Sequence, residues 1–190
     1  MSRSYELKRR AELQDETRER IVDAAIELHQ TIGPAATTVT DIARRAGVGR
    51  VTVYRHFQDE ETLSRACSGK YFAHNPFPDL ATWRAIGDPA ARARVALAES
   101  YAYHGANEAM FTHVLADARA HPVMAPYHRY WADAADVLLA GSGARGHRRT
   151  TLRAAFALAL SFDTWRTLTR EQQLTDAQAV DLMLGLIDGA

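Results

Sequence analysis

An all-α fold is expected for this chain of 190 residues, and three features of the sequence predict it. Alanine, the strongest helix former, occupies 35 positions. Apolar residues recur at helical spacing along the whole chain, whereas no short stretch alternates as a half-buried strand does. Glycine and proline interrupt this pattern repeatedly, which leaves about eight or nine helices.

The first predicted helix runs from Glu12, or earlier, to Ile32. One face of it carries an apolar stripe at helical spacing: Ile21, Ala25, Leu28 and Ile32. The next helices are expected at about 40–46, at 50–57, and from an N-cap at Asp59 to beyond Phe72. Together these helices predict an N-terminal domain over residues 15–73, preceded by a flexible basic arm over 1–14.

A joint that contains Pro76 and Pro78 separates this domain from a helical C-terminal domain over 74–190. The C-terminal helices are predicted at about 89–106, 107–119, 122–140, 147–170 and 175–188. The loop 141–149, rich in glycine and arginine, is expected to be the most mobile segment of the chain.

Composition excludes several classes of protein. The 23 basic and 23 acidic side chains balance, so a nucleic-acid partner can be inferred only from local charge. Cys67 is the only cysteine, which excludes an intramolecular disulfide and a multi-cysteine zinc site. No apolar run fits a signal peptide or a membrane span, so we expect a cytoplasmic protein with no membrane partner, metal or cofactor.

The most informative segment is 38–57, which has the pattern of a helix, a tight turn and a second helix. Thr40 is placed to cap the first helix. Gly47 ends that helix at the position where a left-handed residue is usually needed. Val53 and Phe57, four residues apart, are expected to anchor the second helix to the core.

This arrangement leaves much of the second helix facing outward: Arg50, Val51, Thr52, Tyr54, Arg55 and His56. A helix fits the major groove of duplex DNA, where its N-terminal residues reach base edges and flanking hydroxyl and cationic groups bind phosphates. Segment 38–57 contains four arginines and one acid, a local charge of +3. The segment is therefore interpreted as a helix-turn-helix DNA-binding motif, and the alternative is an ordinary helical hairpin with a solvated charged face.

The same residues resemble a known family. Thr38-Val-Thr-Asp-Ile-Ala-Arg-Arg-Ala-Gly-Val48, then Thr52-Val-Tyr-Arg-His-Phe57 and Glu61-x-Leu63, are similar to the DNA-binding domain of the tetracycline-repressor (TetR) family. The first helix extends the likeness through Arg18-x-x-Ile21-x-x-Ala24-Ala25, so the resemblance covers about residues 15–70. The C-terminal part resembles the family only in its helical layout.

The resemblance implies a dimeric, ligand-responsive repressor of a palindromic DNA operator. Carried over position by position, it places Arg50, Val51 and Thr52 against the bases. It implies phosphate contacts for a second set, with Arg55 expected on the flank of the same helix: Thr38, Thr40, Arg44, Tyr54 and His56, the last aided by protonation. The basic residues of the 1–14 arm would enter the minor groove or remain disordered.

The last two predicted helices are apolar on more than one face. In the final helix, Val180, Met183, Leu184 and Ile187 lie on one side, and Leu182 and Leu186 lie elsewhere. In the preceding helix, Leu152, Phe156 and Leu160 form one stripe, and Leu158, Phe162 and Trp165 form another. The first set of each helix is taken together as one stripe. A helix that is apolar all round must be buried all round, and a partner subunit achieves this in a small domain. The stripe therefore predicts a homodimer interface, and a purely internal core is the alternative.

Aromatic residues with a few polar neighbours characterise the middle helices. The predicted lining of a small-molecule pocket comprises Trp83, Tyr101, His104, Phe111, Tyr127, Trp131 and Trp165. Each of these residues taken singly is more typical of an ordinary core, and only their clustering favours a pocket. We expect a mostly apolar cavity between about 83 and 165 that binds an unknown small-molecule effector.

Two other functions stay open from the sequence. An enzyme would act in the aromatic pocket, although no nucleophile elbow or phosphate loop is present, and His113 with Asp117 is a less expected metal pair than an ion pair or cap. A DNA-binding module without an effector would fill the pocket with its own side chains. Cys67 is expected to be a partly buried apolar residue, with an oxidation sensor as the alternative.

Overall fold

Helices form the whole architecture of the described chain. The computed structural model describes residues 3–189, apart from the side chains of residues 3, 4 and 7. In this range the α-helices are α1 Arg3–Thr31, α2 Val39–Ala46, α3 Arg50–His56, α4 Glu60–His74, α5 Leu80–Ala85, α6 Pro89–Ala106, α7 Glu108–Asp117, α8 Ala125–Leu139, α9 Gly146–Ala159, α10 Phe162–Arg166 and α11 Asp176–Asp188. No strand occurs between residues 3 and 189, so the predicted all-α class is confirmed.

The described chain divides into two compact units. The N-terminal unit comprises residues 3–76 together with Ala109–Val123, and the C-terminal unit comprises Phe77–Glu108 and the residues from 124 to 189. The sequence assigned α7 to the C-terminal domain, whereas the structure groups it with the N-terminal unit. The pattern within α7 could not reveal this, because grouping depends on contacts with residues far away in the chain.

Helices α1 to α4 enclose the apolar core of the N-terminal unit. Ile21 and Ala25 of α1 are fully buried against this core. Ile42 of α2, Val53 of α3 and Leu63 of α4 complete it from the other sides. Of the apolar stripe predicted for the first helix, Ile21 and Ala25 face inward and Leu28 is half-buried, whereas Ile32 is 45% exposed beyond the end of α1.

Ion pairs connect α2 and α4 to α1 around this core. The Arg45 guanidinium of α2 donates to both carboxylate oxygens of Glu27 in α1. Lys70 Nζ of α4 lies 2.6 Å from carboxylate oxygens of Glu19 and Asp23 in α1. Asp23 and then Glu19 raise the pKa of Lys70 by hydrogen bonding to its ammonium group.

The first helix begins much earlier than the sequence predicted. A flexible arm over 1–14 is wrong for the described part of that segment, because the helix runs without a break from Arg3 to Thr31. Residues 1–2 lie outside the described residues. No glycine or proline interrupts 3–31, and Lys8 Nζ lies 4.0 Å from Glu12 Oε1 one turn later.

Helix α6 forms the centre of the C-terminal unit, where it contacts α5, α8, α10 and α11. The buried Arg92 closes two neighbouring helix ends. Its guanidinium donates to Ile86 O at 2.7 and 3.0 Å, beside the end of α5, and to Val137 O at 3.3 Å and Ala140 O at 2.6 Å, at the end of α8. Terminal carbonyls lack intrahelical donors, so this arginine satisfies groups that would otherwise be buried without partners.

Two predicted segments of the C-terminal unit differ in the structure. Helix α5 was not predicted, since its six residues are too few to show a period. The predicted helix 147–170 is interrupted after Ala159, because Ser161 Oγ accepts a hydrogen bond from Thr164 N at 3.1 Å and begins α10. A π-helical turn, Thr167–Glu171, follows α10. No helix in the described part of the chain combines the length and apolar character needed to cross a bilayer.

Candidate nucleic-acid interface and ligand site

The helix-turn-helix segment begins with a reciprocal cap at Thr38, not at Thr40 as predicted. Thr38 Oγ1 accepts from Asp41 N at 3.2 Å and donates to Asp41 Oδ2 at 2.5 Å, while Thr38 N donates to the same carboxylate oxygen. The Thr38 hydroxyl holds the pKa of Asp41 below its usual range. A side-chain acceptor at Thr38 reaches the free amide three residues on, which explains why α2 starts one residue earlier than expected.

Gly47 forms the turn between α2 and α3. Its φ of 67° and ψ of 37° lie in the left-handed region that the sequence predicted. The next amide, Val48 N, donates to Ala43 O at 2.9 Å, which closes the end of α2. Val53 and Phe57 then hold α3 in the core with 1% and 2% of their surface exposed, as predicted. The direction of α3 is therefore fixed at both ends.

The outward face of α3 consists of a stripe of four side chains. Val51 is 83% exposed and Tyr54 is 46% exposed, and Arg50 and Arg55 flank them in the exposed class. Thr52 is half-buried beside this stripe. A valine at 83% exposure offers an apolar surface to a partner. Together with two arginines it suits a base edge and the adjoining phosphates.

His56 is the residue of α3 that departs from the predicted arrangement. It is half-buried, and no described group bonds to its buried Nε2 atom. Burial lowers the pKa of His56, and the guanidiniums of Arg55 and Arg18 lower it further. The Asp15 carboxylate opposes that shift. The imidazole is therefore held towards its neutral form, so the proposed aid from protonation is weaker than the sequence suggested.

The two arginines of α2 have different surroundings. Arg45 forms a half-exposed ion pair with Glu27 of α1. Arg44 Nη2 lies 2.5 Å from Asp41 Oδ1, but the Arg44 side chain is 77% exposed. An exposed pair of this kind contributes little stability, so Arg44 can exchange its carboxylate for a phosphate at small cost. Thr40 is exposed in the same first turn of α2.

Comparison with known proteins agrees with this geometry. The family described as bacterial regulatory proteins, tetR family, matches residues 21–67, which contain the capped helix, the left-handed turn and the exposed stripe. The chain carries a tetR-family regulatory domain. The HTH-type transcriptional regulator SrpR of Pseudomonas putida is 44% identical over 52 residues, which cover 27% of this chain and 24% of SrpR. The match thus spans about a quarter of that relative's length.

Two solved structures share the fold over nearly the whole chain. AibR, in complex with isovaleryl coenzyme A and operator DNA, has a TM-score of 0.66 at 18% identity over 90% of this chain and 97% of its own. FadR of Bacillus subtilis, in complex with stearoyl-CoA, has a TM-score of 0.61 at 15% identity over 89% and 96%. Similarity at these identities establishes the architecture of the C-terminal unit, whereas ligand identity does not transfer.

The predicted ligand-binding residues are buried without exception: Trp83, Tyr101, His104, Phe111, Tyr127, Trp131 and Trp165. Phe111 belongs to the N-terminal unit, and the other six belong to the C-terminal unit. Within the C-terminal unit, the rings of His104 and Trp131 have centroids 4.9 Å apart. The guanidinium carbon of Arg170 lies over the Trp165 ring, 4.7 Å from the ring centroid.

Three residues of this aromatic region were not in the predicted set. Phe77, between the two prolines of the joint, stacks on Tyr130 with centroids 4.2 Å apart and 15° between ring planes. Tyr130 in turn meets Trp131 edge to face at 4.8 Å. Ser100 is fully buried on α6 among these helices. The prolines on both sides of Phe77 were the sequence feature that could have pointed to this residue. No sequence feature distinguishes Ser100 from any other serine within a helix.

The predicted dimer stripe faces the chain's own core. Five of its residues are buried, namely Phe156, Leu160, Val180, Met183 and Ile187, and Leu152 and Leu184 are half-buried. The exposed apolar residues of the same helices are Leu158 at 60%, Leu182 at 42% and Leu186 at 59%. Burial of five of these residues within their own chain argues against them as dimer contacts. Both helices carry two apolar stripes, and periodicity does not distinguish the inner from the outer one. We call Leu158, Leu182 and Leu186 the outer leucine face.

Two further sequence predictions concern single residues. Cys67 is 4% exposed, and burial raises its thiol pKa to about 12, which favours a core residue over an oxidation sensor. Asp117 Oδ2 accepts from Ala35 N at 3.0 Å within the N-terminal unit, which agrees with a cap in preference to a metal ligand. Among the described residues, no group of three His, Cys, Asp or Glu side chains is arranged for a metal ion.

Proposed function

We propose that this chain is a sequence-specific DNA-binding repressor that leaves a palindromic operator when a small, mostly apolar ligand binds. The observation that carries the proposal is the exposed stripe of α3 within a tetR-family domain. That stripe combines an 83% exposed valine with exposed arginines on a helix whose anchors, Val53 and Phe57, are buried. Such a helix is presented for binding, since its polar and apolar outer groups have no structural role in the unit.

The DNA contacts are divided between bases and phosphates. Arg50, Val51 and Thr52, at the N-terminal end of α3, face the bases, with Val51 against a thymine methyl group. The phosphate contacts come from both helices of the motif: Thr38, Thr40, Arg44, Tyr54, Arg55 and a largely neutral His56. The hydroxyl of Thr38 is already committed to Asp41, so its part in binding DNA is mainly to position α2.

A homodimer supplies the second half-site. The outer leucine face lies on α9 and α11, which pack against each other within the C-terminal unit. A self-complementary apolar face of this kind suits a two-fold contact between identical chains. Two copies of α3 about 34–36 Å apart then read a palindrome across one turn of duplex.

The effector site is placed in the aromatic region of the C-terminal unit. AibR and FadR, which share this fold, were solved with coenzyme A thioesters bound. Ligand and operator are coupled in the proposed mechanism, because the ligand-bound dimer has its α3 helices spaced wrongly for DNA. By linkage, operator DNA weakens ligand binding by the same factor, typically about 1–3 kcal/mol.

Selection of bound duplexes from a random pool, at a stated salt concentration, tests the DNA-binding part. We expect a palindromic winner whose affinity falls steeply with salt, since phosphate contacts release counterions. Arg50→Ala should change the preferred bases, while Tyr54→Phe should weaken binding to all duplexes alike. Arg84→Ala, which removes an exposed arginine of the C-terminal unit, is the matched control and should change neither property.

Two outcomes would contradict the proposal. If no duplex is enriched and binding shows no salt dependence, the chain is not a DNA-binding regulator. If Arg50→Ala leaves the preferred sequence unchanged, the assignment of base contacts to the start of α3 is wrong.

A further inference from the structure

The indole of Trp131 has an unusual hydrogen-bonding state for a buried tryptophan. The other two tryptophans each donate to a carboxylate: Trp83 Nε1 to Glu99 Oε2 at 2.7 Å, and Trp165 Nε1 to Asp176 Oδ1 at 3.0 Å. In the described chain no group accepts from Trp131 Nε1, although that atom is buried and the residue is 9% exposed. A buried donor is costly without an acceptor, so this exception calls for a partner outside the protein.

A second buried polar atom lies in the same region. Ser100 is fully buried on α6, and within residues 3–189 no group pairs with its hydroxyl. Ser100 and His104 are four residues apart and therefore share one face of α6. His104 on that face meets the Trp131 ring of α8 at 4.9 Å. Helices α6 and α8 thus each contribute one buried polar group that has no partner in the described chain, and His104 of α6 contacts the ring that carries the second group.

His104, a titratable side chain beside Trp131, is held in its neutral form, and the charges that act on it are the carboxylates of Asp163 and Asp176. His104 Nε2 donates to Leu160 O at 2.9 Å, and burial lowers the pKa of His104 to about 4. The carboxylates that approach the other indoles, Glu99 and Asp176, are already bonded to them. A carboxylate of a ligand placed beside Trp131 would lose its hydration without gaining an opposite charge there.

We infer that Trp131 and Ser100 form the polar end of the effector site, and that the effector is a neutral, flat, largely apolar compound with a carbonyl or other hydrogen-bond acceptor. This inference rests on the proposed effector-binding function and names the chemical class of its ligand. The indole N–H only donates, so it selects an acceptor, whereas the serine hydroxyl bonds either a donor or an acceptor. The aromatic rings beside Trp131, such as Tyr130 and Phe77, favour a flat ligand body.

Three probe ligands that share the naphthalene ring distinguish the effect of a hydrogen-bond acceptor on affinity from the effect of a charge. They are 2-naphthamide, 2-naphthoate and naphthalene. Calorimetric titration of the DNA-free full chain should rank 2-naphthamide as the tightest binder. The carboxylate should bind at least about tenfold more weakly, because it is unpaired in a buried site. Naphthalene should bind about three- to tenfold more weakly than the amide, since it lacks the acceptor.

The indole N–H signals in a ¹H–¹⁵N spectrum give a direct readout that requires no variant. The Trp131 Nε1–H signal should shift on addition of 2-naphthamide, while those of Trp83 and Trp165 serve as internal controls and stay close to their free positions. Trp131→Phe keeps an aromatic ring and removes the donor. It should lower the affinity for 2-naphthamide by about three- to tenfold and leave the affinity for naphthalene nearly unchanged.

The inference fails if 2-naphthoate binds as tightly as the amide, or if the Trp131 indole signal does not respond to a bound amide. These outcomes are distinct from failure of the proposed function, because they are measured without DNA. Tight amide binding through Trp131 that leaves operator affinity unchanged would uphold the site and remove its role in regulation. Release of the operator only by charged ligands would uphold the regulator and overturn the ligand class assigned here.

Discussion

Gly33 follows α1 in a left-handed conformation, with φ of 85°, and lies against α7 within the N-terminal unit. A Cβ atom at this position would be 2.6 Å from Asp117 Oδ2, the oxygen that accepts from Ala35 N. Gly33→Ala therefore combines backbone strain with the loss of a hydrogen bond. We expect it to lower the free energy of unfolding by about 2 kcal/mol, measured by chemical denaturation.

Gly69 provides the matched control for that measurement. It lies inside α4, and a Cβ atom there would meet nothing within 4 Å. Gly69→Ala should stabilise the protein by about 0.5–1 kcal/mol, because alanine restricts the unfolded chain and favours helix. Equal effects of the two substitutions would show that the approach of α7 to Gly33 does not constrain this position.

His104 should make the stability of the protein depend on pH. Its folded pKa of about 4 lies below the ordinary value of 6.5. Below pH 6.5 the imidazole of His104 binds a proton in the unfolded state but stays neutral in the folded state, so the free energy of unfolding decreases as the pH falls. The decrease ends near pH 4, where the folded imidazole is protonated as well. Between pH 7 and 4.5 this loss amounts to about 2–3 kcal/mol.

Urea denaturation across this range, for the wild type and His104→Gln, measures the contribution of His104. Glutamine keeps an N–H donor for Leu160 O but does not titrate, so the variant should lose less stability on acidification. Parallel curves for the two proteins would show that His104 is not the source of the pH dependence.

The start of α2 depends on the reciprocal cap between Thr38 and Asp41. Thr38→Ala removes the acceptor for Asp41 N and should cost about 1 kcal/mol in chemical denaturation. Thr40→Ala changes an exposed residue inside the first turn and should cost less than about 0.5 kcal/mol. A larger loss of stability for Thr40→Ala than for Thr38→Ala would show that Thr40 is the N-cap of α2, as the sequence predicted.

The sequence predicted a helix end correctly where one residue type sets the backbone conformation. The prediction failed where continuing a helix and capping a new one compete locally. Gly47 and Asp59 took the predicted positions, because a left-handed residue and an acidic N-cap leave few alternatives. The segment around Ser161 has an uninterrupted apolar pattern, so a single helix was predicted there. The hydroxyl of Ser161 instead caps a new helix, and the tertiary packing of Phe162 and Trp165 stabilises that choice.

At the scale of the whole molecule, the outer leucine face should determine the oligomeric state. Leu186→Glu places a charge in an apolar contact between two chains, and it should convert a dimer into a monomer of 21.1 kDa in sedimentation equilibrium. Leu13→Glu is the matched control, because Leu13 is a 53% exposed leucine that belongs to α1 of the N-terminal unit. It should leave the dimer intact.

Either of two results would contradict the dimer prediction. A wild-type chain that sediments as a monomer would remove the second half-site from the proposed mechanism. A Leu186→Glu variant that still forms dimers would place the interface on a surface other than the outer leucine face.

The sequence by itself determined the helical class, the helix-turn-helix segment with its left-handed Gly47, and the exposure of Arg50, Val51, Tyr54 and Arg55 on α3. These features depend on caps, turns and periodicity, which act between residues three or four positions apart. Only the tertiary structure decided which leucine stripe faces outward, where α7 belongs, that Arg92 closes two helix ends, and that Trp131 lacks an acceptor. Burial and hydrogen-bond satisfaction depend on groups distant in the chain, so no local pattern contains them.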